Sequence, residues 1–321
     1  MRVSVVIPSY NVASYLPQAL ESVHAQTRPV DEVIVVDDGS TDGSTEVARR
    51  HGAVCVRTPV NGGPAAARNL GTRAASGDVV AYLDGDDFWE PTHCAETVGL
   101  LERFPEAAVA FGRVRKIGGE TRAPDPELDL PAGTPTDALL SLVVYNTVPQ
   151  SGAVVRRAAV LEAGGYDERM RYSEDYDLWL RLARRHPFVC TQEITTNYRV
   201  HPAQATQAVE KLMRGGWEAR RRLWESYAGA PAEERARVAA ALSRAWELDL
   251  RLAWRNCDRA MLDVVLAQRD VVPDSAASFE RWDRRARRFW SFWVPAIAVW
   301  DRLPQGTKNA LKTPVRALRG A

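Results

Sequence analysis

Residues Val3 to Ile7, Glu32 to Val36, Val54 to Arg57 and Val79 to Leu83 are short apolar or β-branched runs, each followed by polar or turn-forming residues. Runs of this length bounded by turn signals read as buried strands. Between them the spacing is helical. Tyr15 to Ala25 sets Leu16, Ala19, Leu20 and Val23 on one face, and Ala65 to Ala75 reads as a helix entered through Asn61-Gly62-Gly63-Pro64. Alternating strands and helices predict an α/β domain whose mostly parallel sheet is covered by helices. After about Ala205 the strand signals stop, and Glu210 to Tyr227 and Glu233 to Arg255 read as long helices. The expected division is an α/β domain over residues 1–205 and a helical region over 206–321.

Ligands of such sheets sit at the carboxyl ends of the strands. Three strand ends here carry polar clusters: Ser9-Tyr10-Asn11, Asp37-Asp38 and Asp84-Gly85-Asp86-Asp87. The last groups three anions that repel one another unless a cation lies between them. Mg²⁺ or Mn²⁺, bound in turn to phosphate, would supply that charge; a solvated Asp-Gly turn is the alternative. A dinucleotide-binding Gly-x-Gly-x-x-Gly is excluded, because Pro8-Ser9-Tyr10-Asn11 follows the first strand, and no Walker loop is present. The run from Asp38 to Gly43 resembles part of a calcium loop, but the twelfth position holds Arg49 where Glu is required. Arg68, one turn into the helix after Gly62-Gly63-Pro64, can reach a phosphate or a nearby Asp, with a plain ion pair as the other reading.

With 45% hydrophobic and 26% charged residues among 321, the composition is that of an ordinary globular protein. The net charge of +1 hides an asymmetry. Residues 281–321 hold ten Lys or Arg against two Asp, a local +8 that leaves the first 280 residues at −7. Cys55, Cys94, Cys190 and Cys257 form neither a CxxC nor a Cys/His pair with metal spacing, so reduced thiols in a cytoplasmic protein are expected. The N-terminus lacks the apolar core and cleavage site of a signal peptide. No motif points to nucleic acid. His24, His51, His93 and His186 fall in surface-like contexts and receive no role.

Five segments together resemble the family two glycosyltransferases: Val5 to Asn11, Val35 to Asp42, Ala65 to Asn69, Leu83 to Asp87 and Glu174 to Arg181. The resemblance covers about residues 1 to 205. It implies a GT-A fold, a nucleotide-sugar donor, a divalent cation and transfer with inversion at the anomeric carbon. By the family's pattern the turn around Pro8 and Tyr10 packs on the nucleobase, Asp38 bonds the base or ribose, and Arg68 lies near the uracil-binding side. Asp84 and Asp86 form the Asp-x-Asp element, Asp86 being the direct metal ligand, with Asp87 the least defined of the three. Asp175 matches the base that takes a proton from the acceptor hydroxyl. On spacing alone it reads equally well as a helix cap, and Glu174 and Asp177 as ordinary first-turn acids. His201, in Tyr198-Arg199-Val200-His201-Pro202, resembles a family element near the metal or diphosphate; a structural histidine is the other reading.

Gly118 to Pro135 reads as a loop or lid over the donor site, and Tyr145 to Gly152 as facing the acceptor. The Gln-x-x-Arg-Trp pattern of processive synthases is absent, since Ser278 stands where Gln would precede Arg281-Trp282; transfer of a single sugar is expected. The expected partners are a UDP-sugar and a glycan or lipid-linked acceptor. A nucleotidyltransferase would need a Gly-rich signature after the first strand, and a non-catalytic glycan- or protein-binding module remains open. Eight of ten tryptophans lie beyond residue 205. Phe289 to Trp300 contains one polar side chain and is too short to span a bilayer. Flanked by Arg and Lys, it could lie on an anionic membrane surface at the inner face of the plasma membrane, or pack internally or against a second copy in a homo-oligomer.

Overall fold

The computed structural model describes residues 1–119, 130–201, 204, 208–256, 258–268 and 271–272. The chain opens with β1 (Val3–Ser9), α1 (Leu16–His24), β2 (Glu32–Asp37), α2 (Ser44–Arg50), β3 (Val54–Arg57), α3 (Pro64–Ala74) and β4 (Val79–Tyr82). These four strands are parallel, with β1 between β2 and β4 and β3 outside β2. Alternate residues of β1 point to opposite faces. Val3, Val5 and Ile7 join Leu16, Leu20 and Val23 of α1 in the main core. Val6 faces α3, where a methyl group added at Gly71 would come 2.4 Å from its Cγ1. That helix lies too close to the sheet for any side chain at this position.

The second half is mixed rather than parallel. It adds β5 (Phe88–Trp89), α4 (His93–Arg103), β6 (Val109–Ile117), α5 (Leu139–Val144), β7 (Ala153–Arg156), α6 (Arg157–Glu162), α7 (Glu174–Ala183) and β8 (Phe188–Arg199). Among the described residues the sheet has eight strands, in the order β3-β2-β1-β4-β7-β6-β8-β5. β7 runs antiparallel to both β4 and β6. The acidic end of β4 thus lies beside a strand that runs the opposite way.

His93 departs from the surface position expected of it. It is fully buried, stacked on Trp89 with ring centres 4.1 Å apart, and burial pushes its imidazole down to about 3. Of the expected lid, residues 120–129 lie outside the described residues. Its far flank is tied to β8 by Gly133 N donating to Cys190 O at 2.8 Å and Thr136 N to Phe188 O at 2.8 Å.

The helical region begins with α8 (Val209–Glu225) and α9 (Ala232–Arg255), followed by α10 (Arg259–Leu266). The first compact unit is Met1–Ala241 and includes α8, whose Trp217 is fully buried and whose Arg220 Nε donates to Val143 O at 2.9 Å. The second unit starts at Leu242. In it Trp246 Nε1 donates to Val265 O at 3.0 Å, and Asp258 caps α10 by accepting from Met261 N at 3.1 Å. Cys257 and the basic, tryptophan-rich stretch over 281–321 lie outside the described residues. No described helix is long and apolar enough to cross a membrane.

Candidate active site

The tips of β1 and β2 are knitted together by short polar side chains. Asn11 accepts from Thr41 N at 2.9 Å, Ser40 Oγ accepts from Asn11 N at 3.0 Å, and Asp42 accepts from Ala13 N at 2.8 Å. Pro8 pairs with Val36 at the end of β1, and Tyr10 just beyond it is 50% exposed. Asp38 is turned inward. Its carboxylate accepts from Gly62 N at 2.9 Å, Gly63 N at 2.7 Å and Thr58 Oγ1 at 2.8 Å, so it shapes the loop that leads into α3.

The acidic tip of β4 is built in layers. Asp87 is 1% exposed, accepting from Ser151 Oγ at 2.5 Å and Arg199 N at 2.8 Å. Burial and the charges of Asp86 and Asp84 hold its carboxyl well above the usual carboxylate range, despite the Ser151 bond. Ser151 Oγ also accepts from Asp84 N at 3.2 Å. The segment expected to face the acceptor therefore braces the acidic turn from behind. Asp86 lies further out. Its Oδ2 is 3.0 Å from His201 Nε2, and its carbonyl accepts from Arg199 Nε at 2.9 Å. Burial and the Asp84 charge push the Asp86 carboxyl up, and His201 opposes them. The His201 ring packs on Tyr15, centres 4.9 Å apart.

Arg68 joins this tip to the second acidic cluster. Its guanidinium donates from Nη2 to Asp84 Oδ1 and from Nη1 to Glu174 Oε1, both at 2.6 Å, with the side chain 5% exposed. Expected near the uracil-binding side, Arg68 commits both arms to carboxylates. Its neighbour Asn69 staples the Gly164-Gly165-Tyr166 loop onto α3, accepting from Tyr166 N at 2.8 Å and donating to Tyr166 O at 2.8 Å. Gly165, at φ 73°, has no room for a Cβ, which would meet Asn69 Oδ1 at 2.5 Å.

Asp175 sits in the first turn of α7, half-buried, with Oδ1 accepting from Tyr176 N at 2.8 Å. Burial and the Glu174 charge push its carboxyl up to about 7, against the pull of Arg68. A carboxyl held near neutrality can exchange a proton under physiological conditions. The residue before this helix is strained: Ser173 takes φ 58°, and its Oγ donates to Leu212 O at 2.9 Å. Such backbone conformations concentrate at functional sites. From the sequence Asn69 has no role, Ser151 is only part of the acceptor-facing segment and Glu174 is an ordinary first-turn acid. Only the motif membership of Asn69 and Glu174 marked them.

The family model described as Glycosyl transferase family 2 matches residues 4–162. Through these residues the chain belongs to glycosyl transferase family 2. An uncharacterized glycosyltransferase of Rickettsia typhi is 28% identical over 211 residues, covering 64% of this chain and 65% of that protein. The chain thus spans just under two thirds of the length of that relative. One from a Nostoc species is 46% identical over 107 residues, 32% of this chain and 33% of the relative. Among solved structures, Staphylococcus aureus TarS 1-349 in complex with UDP-GlcNAc aligns with TM-score 0.69 at 19% identity, covering 88% of this chain and 83% of TarS. The mannosyltransferase PcManGT from Pyrobaculum calidifontis, in complex with GDP-Man and Mn²⁺, aligns with TM-score 0.61 at 20% identity, covering 91% and 81%. The family 2 chain shares their GT-A fold.

Proposed function

We propose that the family 2 chain is a metal-dependent, inverting glycosyltransferase of hexosyl type, moving one sugar from a UDP-sugar to a hydroxyl of a glycan or lipid-linked acceptor. One observation carries the reading: a carboxyl titrating near neutrality, Asp175, is joined through Glu174 and Arg68 to the acidic end of β4. Among the described residues no group of three His, Cys, Asp or Glu side chains is placed to hold a metal ion unaided. The donor set nevertheless fits a phosphate-bound cation, because Mg²⁺ uses one or two carboxylates plus substrate phosphates. Asp86 and His201 would hold it, and the crowding of anions that raises Asp86 is the charge such a cation relieves. When bound, the cation would stabilise the charge that develops on the departing diphosphate.

The chain's own residues do the rest. The exposed ring of Tyr10 and the Pro8 turn offer a platform for the nucleobase, and Asp38, itself buried, acts by shaping the Gly62-Gly63 loop beside it. Ionised Asp175 accepts the acceptor's hydroxyl proton as that oxygen bonds to the anomeric carbon and the bond to the diphosphate breaks. The relatives bound to UDP-GlcNAc and to GDP-Man with Mn²⁺ support a nucleotide-sugar donor.

The test is release of UDP from a panel of UDP-sugars with Mn²⁺, with and without glycan acceptors. Metal-dependent release that is lost in Asp86→Ala supports the assignment; release that is the same with EDTA and in Asp86→Ala removes it. A peripheral position at the inner face of the plasma membrane belongs to the same proposal. Co-sedimentation with anionic liposomes, lost on deleting residues 281–321, tests it.

A further inference from the structure

Glu174 takes no part in the proton transfer just described, yet it is more tightly held than first-turn acids of a helix usually are. Such acids gain from the helix dipole while remaining in water. Glu174 is instead 9% exposed on its side chain and locked at 2.6 Å to a guanidinium that is itself 5% exposed. Taking two charges out of water is costly, and an apolar pair of similar volume is often as stable. The charge therefore calls for a use beyond stability.

The surroundings of Asp175 supply one. Glu174 precedes it on α7, Arg68 approaches from α3, and Asp84 stands at the end of β4. Tyr166 lies under Arg68, its ring centre 5.6 Å from the guanidinium carbon. One buried cation thus pairs directly with two carboxyl groups, Asp84 and Glu174, and acts on Asp175 only through its charge. If all three ionise, two negative charges stay uncompensated in a partly desolvated place.

We propose that Glu174 is a positioning residue for the transfer reaction: pinned by Arg68, it fixes the first turn of α7 and sets the charge beside Asp175 that governs when that carboxyl releases its proton. The role rests on Asp175 as the base. Burial comes first and Glu174 second among the causes that raise Asp175, which agrees with the geometry. Without the Glu174 charge the carboxyl would ionise at lower pH and be a weaker base.

The experiment reads the proton directly and needs no substrate. The full chain is labelled with ¹³C at aspartate carboxyl carbons, and the Asp175 resonance is identified by its loss in Asp175→Asn. Its titration midpoint is then followed in wild type, Glu174→Gln and Glu174→Asp. The midpoint is expected to fall by at least about one pH unit in Glu174→Gln, a tenfold loss of proton affinity. In Glu174→Asp, which keeps the charge, it should return most of the way to the wild-type value. A residue that only supports the fold would lower the melting temperature at every pH and leave the midpoint where it was; that result overturns the proposal. If Glu174→Gln does not fold, Arg68→Met and Arg68→Met/Glu174→Gln are compared instead, and a midpoint that is the same in both is equally fatal. Failure of the base assignment is read separately, as full transfer activity in Asp175→Asn.

Discussion

Replacing Asp175 by Asn should make the protein more stable above neutral pH while removing its activity. An acid whose proton affinity is higher folded than unfolded costs stability wherever the unfolded chain has lost a proton that the folded chain keeps. Below about pH 4 both states are protonated, and wild type and variant should melt together. From there to about pH 7 wild type falls progressively behind, and above pH 7 the deficit is constant. Raising the carboxyl from 3.8 to about 7 is worth about 4 kcal/mol at full effect. For a unit of 241 residues that is a ceiling of roughly 8–16 °C in melting temperature. Thermal melts of both proteins from pH 4 to 8 check it. A difference that is the same at pH 4 and pH 8, or absent at pH 8, would refute the claim that Asp175 is held near neutrality.

Three further outcomes follow from other contacts. Arg68→Met leaves Glu174 and Asp84 without their cation, and should cost about 3–5 kcal/mol in urea denaturation. Asp86→Ala should abolish the joint thermal stabilisation by Mn²⁺ and UDP, about 2.7 kcal/mol in wild type at ligand a hundredfold above its dissociation constant. Gly71→Ala should cost about 1–3 kcal/mol of stability, read as a lower urea midpoint, although alanine is the better helix former, since its methyl meets Val6 at 2.4 Å and Val36 at 3.2 Å. An unchanged midpoint there would mean that α3 can move off the sheet.

The parallel half of the fold was legible because β1, β2, β3 and β4 are local patterns, each a short apolar run closed by turn residues. The antiparallel course of β7 was not, because Ala153–Arg156 reads the same in either direction and only its neighbours Val80 and Ala110 decide. The acidic tip, Asp175 and the nearness of His201 to Asp86 came from motif order. What they touch did not: Arg68 and Glu174 stand 106 positions apart, and pairing over that distance leaves no periodic trace. Ser151 lies in the segment expected to face the acceptor, and its hydroxyl bonds a carboxyl that the sequence shows only as one acid among three. His93 looked like a solvated helix residue because nothing nearby in the chain reveals that Trp89 will lie flat against it.

The Arg68 fork also limits how this chain can be recombined. Residues up to α3 supply the guanidinium, and residues after α6 supply the glutamate that meets it. A hybrid that joins the first part of one relative to the second part of another leaves one arm of the guanidinium, or the buried glutamate, without its partner unless both ends arrive together. That seam has to travel as a unit.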